Sequence, residues 1–178
     1  TLDAADLRRA GRDVLSLALM DARNHTLHLA SVYEQALADI GMAVPKLPEL
    51  NPPLWELGHV GWFQERWIGR NLQRHRGPAC DPTASRLASL QPQADAWWDS
   101  SRVPHDARWA LRLPGLAPTR EALADTLCDT LRLLDALPPD AGDDALYFFR
   151  LVALHEAMHA EAACYMAHAL GFEVPVHA

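Results

Sequence analysis

Two histidines near the end of the chain have the spacing of a pair that binds one metal ion. His155 and His159 belong to a His-Glu-x-x-His sequence, and a spacing of four places both imidazoles on one face of a helix. The other residues on this face are apolar: Phe148, Val152, Ala162 and Met166. The pattern predicts a buried pair that a divalent metal would satisfy. The alternative is that both rings pack or form hydrogen bonds without metal.

A third ligand is expected from another helix, and His59 is the best candidate. One face of its segment carries Trp55, His59, Trp62 and Arg66. Gly58 and Gly61 weaken that helix but permit a neighbour to approach closely. Alone, His59 is typical of a core histidine. With His155 and His159 it completes three neutral nitrogen ligands and leaves positions open for water, substrate or dioxygen.

Six of the nine histidines are interpreted as structural or exposed, because they lie near turns, in polar stretches or on other helix faces. They are His25, His28, His75, His105, His168 and His177.

Thirteen prolines divide the chain into segments that predict helices. Proline interrupts a helix interior and restricts the residue before it, so long proline-free segments favour helix. These segments are residues 1–44, 54–77, 119–137 and 140–174. The absence of a strand pattern and of internal repeats predicts an all-α four-helix bundle. The long loop between the second and third helices, residues 77–118, carries three tryptophans and is expected to pack down.

The helix ends have recognisable signals in the sequence. An apolar stripe in the first helix reaches Ile40, and Gly41 follows as a C-terminal cap. The second helix is expected to begin within Pro52-Pro53-Leu54-Trp55 and to run to about Arg74. Thr119 is expected to be the N-cap of the third helix. The fourth helix is expected to start near Asp143 and to end at Leu170–Gly171.

Composition narrows the class of protein. The 178 residues include 16 basic and 23 acidic side chains, for a net charge of −7, which argues against nucleic acid as a partner. No apolar run is long enough to span a bilayer, so no membrane partner is expected. Three widely spaced cysteines indicate reduced thiols and a cytoplasmic protein.

Two segments resemble the N-terminal DinB-like half of the ergothioneine-biosynthesis sulfoxide synthases and of their relatives, the selenoneine synthases. The first segment is Asn51–Phe63, NPPLWELGHVGWF, and the second is His155–Ala162, HEAMHAEA. Arg23 and Thr26 also match the family's Arg-x-x-Thr pattern. The resemblance covers residues 10–172, and the two motifs in this order and separation are more specific than either alone.

The resemblance implies a DinB-type bundle that holds one non-haem Fe(II) ion with three histidines, here His59, His155 and His159. The family uses iron and dioxygen to join sulfur or selenium to the imidazole of hercynine, Nα-trimethylhistidine. The partners implied are therefore hercynine, O2 and a thiol or selenol donor. That donor would be a selenosugar, or cysteine or γ-glutamylcysteine.

Three further residues are expected to contact substrates. Arg102 and Arg108 lie in the long connection, where the family carries its donor-binding arginines. Each is expected either to bind an anionic group of the donor or to form a surface ion pair. Met158 stands where ergothioneine synthases often have a glutamine that positions substrate. The apolar thioether favours the selenoneine branch.

Residues 1–178 are expected to form one metal-binding domain that is a fragment of a longer enzyme. The sequence to Ala178 is expected to lack the family's second domain, which has a fold like the formylglycine-generating enzyme. In the family that domain supplies much of the hercynine pocket and the catalytic tyrosine, so no catalytic residue is assigned here. The chain is expected to be inactive without it.

Three alternatives remain open at this point. In a zinc metallopeptidase, Glu156 would be the general base. A stand-alone DinB-type thiol transferase would use the same bundle and histidines without redox chemistry or a second domain. A bundle with a structural metal would be a non-enzymatic dimerisation module.

Overall fold

The computed structural model describes residues 2–175, and its regular elements are helical. Its α-helices are α1 (Ala4–Leu7), α2 (Arg12–Ala36), α3 (Pro53–Trp67), α4 (Ala94–Trp98), α5 (Leu116–Asp135) and α6 (Asp143–Ala169). Short 3-10 turns cover Ala38–Ile40, Arg74–Ala79 and His105–Ala110. Residues 2–175 contain no strand, which confirms the predicted all-α class. His177 lies outside the described residues.

The four long helices form a closed bundle. Helix α2 packs against α5 and α6, and α3 packs against the same two helices, so α2 and α3 lie across the bundle from each other. The largest core cluster includes Leu15, Leu19, Ile68, Leu134 and Phe149, all essentially inaccessible to solvent. Burial of these side chains is the main stabilising term. The arrangement is consistent with the predicted DinB-like fold. No helix of the described chain is both long and apolar enough to cross a bilayer.

Two predicted helices extend too far at their C-terminal ends. Helix α2 ends at Ala36, and Ile40 lies in a 3-10 turn where it is 53% exposed instead of belonging to the buried stripe. Gly41 does adopt the predicted left-handed conformation, with φ of 59°, but it ends this turn and not the helix. Helix α3 stops at Trp67, short of Arg74, because Ile68 leaves helical geometry with φ −108° and ψ −81°.

The third helix begins earlier than predicted, and the fourth begins where expected. Helix α5 is capped by Gly115, so the prediction of Thr119 as N-cap is wrong. Pro118 fits inside the first turn because the backbone N–H groups there have no intrahelical partner. The Thr119 hydroxyl donates to the Gly115 carbonyl at 2.7 Å. Helix α6 begins at Asp143, and Gly171 turns the chain at its end with φ of 87°.

The long connection packs against α3, as expected from its tryptophans. The Trp55 indole donates to the Trp97 carbonyl at 2.7 Å, and the Trp62 indole donates to the Asp95 carboxylate at 2.7 Å. Asp95 also accepts two hydrogen bonds from Arg70, at 2.8 and 2.9 Å. These contacts dock the short helix α4 onto α3.

Gly58 makes this docking possible. A Cβ atom at Gly58 would overlap the indole of Trp98, whereas a Cβ at Gly69 would meet only the Glu65 carbonyl, at 3.9 Å. The predicted close approach of a neighbour at Gly58 is therefore confirmed.

We expect Gly58→Ala to lower the free energy of unfolding by about 1–3 kcal/mol, because the added methyl overpacks the contact between α3 and α4. Urea unfolding followed by tryptophan fluorescence measures this effect. Gly69→Ala is the matched control, and its stability should stay close to that of the wild type. Equal stability of both variants would contradict this account of Gly58.

Candidate metal centre

The three histidines chosen from the sequence converge between α3 and α6. Nε2 of His155 lies 3.2 Å from Nε2 of His59 and 3.1 Å from Nε2 of His159. Two nitrogens bound to one ion at about 2.1 Å are about 3 Å apart when they occupy neighbouring positions. Within residues 2–175 these three side chains form the only cluster of His, Cys, Asp or Glu that suits a metal ion. Three neutral nitrogen donors fit iron(II) or zinc(II).

His59 is the most deeply buried member of the cluster. Its Nδ1 donates to the Trp98 carbonyl at 2.8 Å, so Nε2 keeps its lone pair for a metal. The ring stacks on Trp55, with centroids 4.8 Å apart. Burial lowers the pKa of His59 to about 4, although the Trp98 carbonyl opposes the shift. His59 is therefore a neutral imidazole of one tautomer at neutral pH.

His155 is held by ring stacking. Its imidazole lies almost parallel to the Phe63 ring, with centroids 3.6 Å apart and an interplanar angle of 7°. Burial lowers the pKa of His155 to about 2, and the neighbouring His159 and His59 add to the shift because a second positive charge would be repelled. His155 is therefore a neutral imidazole at neutral pH, which is the form that binds a metal.

His159 is held by a carboxylate that sequence reasoning missed. Its Nδ1 donates to Oε2 of Glu56 at 2.6 Å, and the Asn51 amide donates to Oε1 of Glu56 at 2.7 Å. Burial would raise the pKa of Glu56. The hydrogen bond from His159, the charges of His159 and His59, and the Asn51 amide outweigh burial and lower it. The signal was available, because Glu56 precedes His59 by three residues and so shares its helix face.

The Glu156 carboxylate is bonded to residues of α2. Arg23 donates from Nε to Oε1 of Glu156 at 2.8 Å, and the Thr26 hydroxyl donates to the same oxygen at 2.8 Å. Nη2 of Arg23 lies 3.3 Å from Oε2 of Glu156. Arg23 is 1% exposed and Glu156 is 2% exposed. Since both carboxylate oxygens are engaged in the core, this geometry argues against Glu156 as the general base of a peptidase.

Arg23 connects all four long helices through that network. It lies on α2 and bonds Glu156 on α6, and it also donates to the Gln64 side chain on α3 and to the Leu123 carbonyl on α5. The Arg-x-x-Thr pattern in the first helix therefore has a structural role here. Its bonds connect α6 to the other three long helices at Glu156, the residue that follows His155.

The structure places the three predicted substrate contacts in different surroundings. The Arg102 side chain is 70% exposed and lies 3.5 Å from Asp99, an arrangement that matches the surface ion pair considered above. Arg108 stacks over Trp55 at 3.7 Å and donates to Oδ1 of Asn51 at 3.0 Å, so it lies one contact away from the metal cluster. Met158 is exposed and directly precedes His159. Their binding of substrate remains a prediction.

Comparison with known proteins identifies relatives. No protein-family model matches the chain. A hercynine oxygenase from Mycolicibacterium thermoresistibile is 31% identical over 150 residues, which cover 84% of this chain and 30% of the relative. Hercynine oxygenases from Mycolicibacterium smegmatis and Mycobacterium tuberculosis are each 30% identical, over 84% and 83% of this chain. The chain spans about 30% of the length of these relatives. The alignments confirm the resemblance found in the sequence.

We expect Arg23→Ala to lower the free energy of unfolding by about 3–5 kcal/mol, because it leaves Glu156 buried without its charged partner. Chemical denaturation monitored by far-UV circular dichroism gives the value. Arg102→Ala removes an exposed pair and should change stability by less than about 1 kcal/mol. Similar losses in the two variants would show that the buried network does not have the role described.

Proposed function

Because this chain is homologous to the N-terminal part of the hercynine oxygenases, we propose that it is the iron-binding part of an oxygen-dependent synthase acting on hercynine. The observation that carries the proposal is the convergence of three imidazole Nε2 atoms, on two helices, in a chain with these relatives. The proposed reaction joins sulfur or selenium to the imidazole of hercynine. Its other substrates are O2 and a thiol or selenol.

In this proposal His59, His155 and His159 hold iron(II), which supplies the open coordination positions and the redox chemistry for dioxygen. The protein contributes a prepared set of donors. The Trp98 carbonyl and the Glu56 carboxylate each accept from an Nδ1–H, which leaves Nε2 directed at the ion. Trp55 and Phe63 cover the rings and keep water from the faces of His59 and His155.

Arg108 is the better placed of the two proposed donor-binding arginines. Its guanidinium stacks on Trp55, and Trp55 stacks on His59, so an anionic group bound by Arg108 would lie near the ion. The Nε–H of Arg108 is buried and has no hydrogen-bond partner among the described residues. A carboxylate of the donor would satisfy it. Arg102 stays in the proposal as an exposed second contact.

Two further parts of the proposal concern the choice of selenium over sulfur and the cellular compartment. Met158 in place of glutamine favours the selenoneine branch, because a polarisable thioether replaces a hydrogen-bonding amide beside His159. The cysteines Cys80, Cys128 and Cys164 are all free thiols, which supports a reducing compartment such as the cytoplasm.

We expect His155→Ala and His159→Ala to abolish stoichiometric Fe(II) binding, and His59→Ala to do the same, because each removes one of three converging donors. Anaerobic titration calorimetry and metal analysis measure the stoichiometry. His168→Ala changes an exposed histidine on the same helix as His155 and should keep one equivalent of iron. Full iron occupancy in any of the three ligand variants would refute the assigned ligand set.

We expect hercynine at saturating concentration to shift the visible absorption bands of the Co(II)-loaded chain. Its imidazole would enter an open position of the ion even though the rest of its pocket is expected to belong to the second domain. Glycine betaine carries the same trimethylammonium and carboxylate groups without the ring and should leave the bands unchanged. Identical responses to both compounds would argue against hercynine as the substrate. Donor transfer that proceeds without oxygen would instead identify the thiol-transferase alternative.

A further inference from the structure

We infer that Glu56 is a positioning residue of the metal centre: it fixes the tautomer and direction of His159 and places a buried negative charge beside the ion. The inference rests on the proposed function in one respect, that the three histidines bind a metal. It adds a residue outside the ligand set and outside the predicted substrate contacts.

The first support is the geometry of the contact. The 2.6 Å hydrogen bond from Nδ1 of His159 to Oε2 of Glu56 joins α6 to α3. Glu56 lies one turn before His59 on α3, so one helix provides both a ligand and the acceptor that orients a ligand from another helix. The two side chains are largely buried, at 16% and 12% exposure, so water competes little for this bond.

The second support is that Glu56 is itself fixed in place. Its other oxygen, Oε1, accepts from the Asn51 amide at 2.7 Å, and Oδ1 of Asn51 accepts from Arg108 at 3.0 Å. Each carboxylate oxygen therefore has its own partner. A rotation of the Glu56 side chain would break both bonds, so Glu56 can act as a rigid support for His159.

The third support is a difference in charge between the acceptors of two ligands. His59 donates to the neutral carbonyl of Trp98, whereas His159 donates to a carboxylate. A carboxylate acceptor makes an imidazole a stronger donor to a metal, and removal of such a partner typically costs about 10–100-fold in metal affinity. Three neutral imidazoles leave the full charge of a divalent ion in a buried site, and Glu56 offsets part of it.

The experiment compares Glu56→Gln and Glu56→Ala with Glu161→Gln. Gln keeps an oxygen acceptor but removes the charge, so His159 gains the kind of neutral partner that His59 already has. Ala removes the acceptor altogether. The control changes Glu161, an exposed carboxylate on α6 that is not a proposed partner of His159. Glu161 accepts a hydrogen bond from the Tyr165 hydroxyl at 3.0 Å. The full chain is used throughout.

Two readouts separate positioning from a purely structural role. Anaerobic calorimetry gives the Kd for Co(II), and nitrogen-15 NMR of the metal-free protein reports which nitrogen of His159 carries the proton. We expect a Kd about tenfold higher in Glu56→Gln and about a hundredfold higher in Glu56→Ala. Wild type and Glu161→Gln should agree with each other and show the proton on Nδ1.

The outcomes distinguish this inference from the proposed function. If the wild type binds no stoichiometric metal, the proposed function fails. If the wild type binds metal but both Glu56 variants keep its Kd and its His159 tautomer, the role of Glu56 alone is overturned. A variant with a lower Tm but unchanged metal affinity also overturns it, because that result assigns Glu56 a purely structural contact. If Glu56→Ala does not fold, Glu56→Gln still decides between these results.

Discussion

Three imidazole rings can converge through Nε2 inside a protein only if each ring is held from its other side. Either Nδ1 has a hydrogen-bond partner or the ring face packs against another side chain. The Trp98 carbonyl does this for His59, the Glu56 carboxylate for His159 and the Phe63 ring for His155. Burial keeps His59 and His155 neutral, and neutral imidazole is the form that binds metal. The convergence of the three histidines therefore depends on partners that would contribute no ligand atom.

The segments that position the three imidazoles also pack the helices of the bundle together. Trp98 reaches His59 because α4 docks on α3 at Gly58, where no Cβ stands in the way. The direction of His155 and His159 depends on the rotation of α6, which the bonds of Arg23 to Glu156, Gln64 and Leu123 restrain. Packing at Gly58 and at Arg23 thus positions the three imidazoles so that their Nε2 atoms converge.

The same contacts connect the cluster to the long segment before α5. Arg108 touches Trp55 and Asn51, and these two residues lead to His59 and to Glu56. A group bound at Arg108 would therefore be close to both helices that carry the candidate ligands. This continuity explains why a connection without long helices is nonetheless packed down, and it links the proposed donor site to the proposed iron site.

The sequence by itself determined the helical class, the start of α6 and the three candidate ligands, because spacing along one helix and proline positions are local properties. Its two motifs also indicated the resemblance to the ergothioneine and selenoneine synthases. It misplaced the ends of α2 and α3 and the start of α5, where backbone conformation at Ile68 and around Pro118 overrides the pattern. Only the tertiary structure assigned Glu156 to Arg23 and Glu56 to His159. Glu156 adjoins a candidate ligand in sequence, and Glu56 shares a helix face with another. Which glutamate accepts a hydrogen bond from a candidate ligand depends on how the separate helices pack.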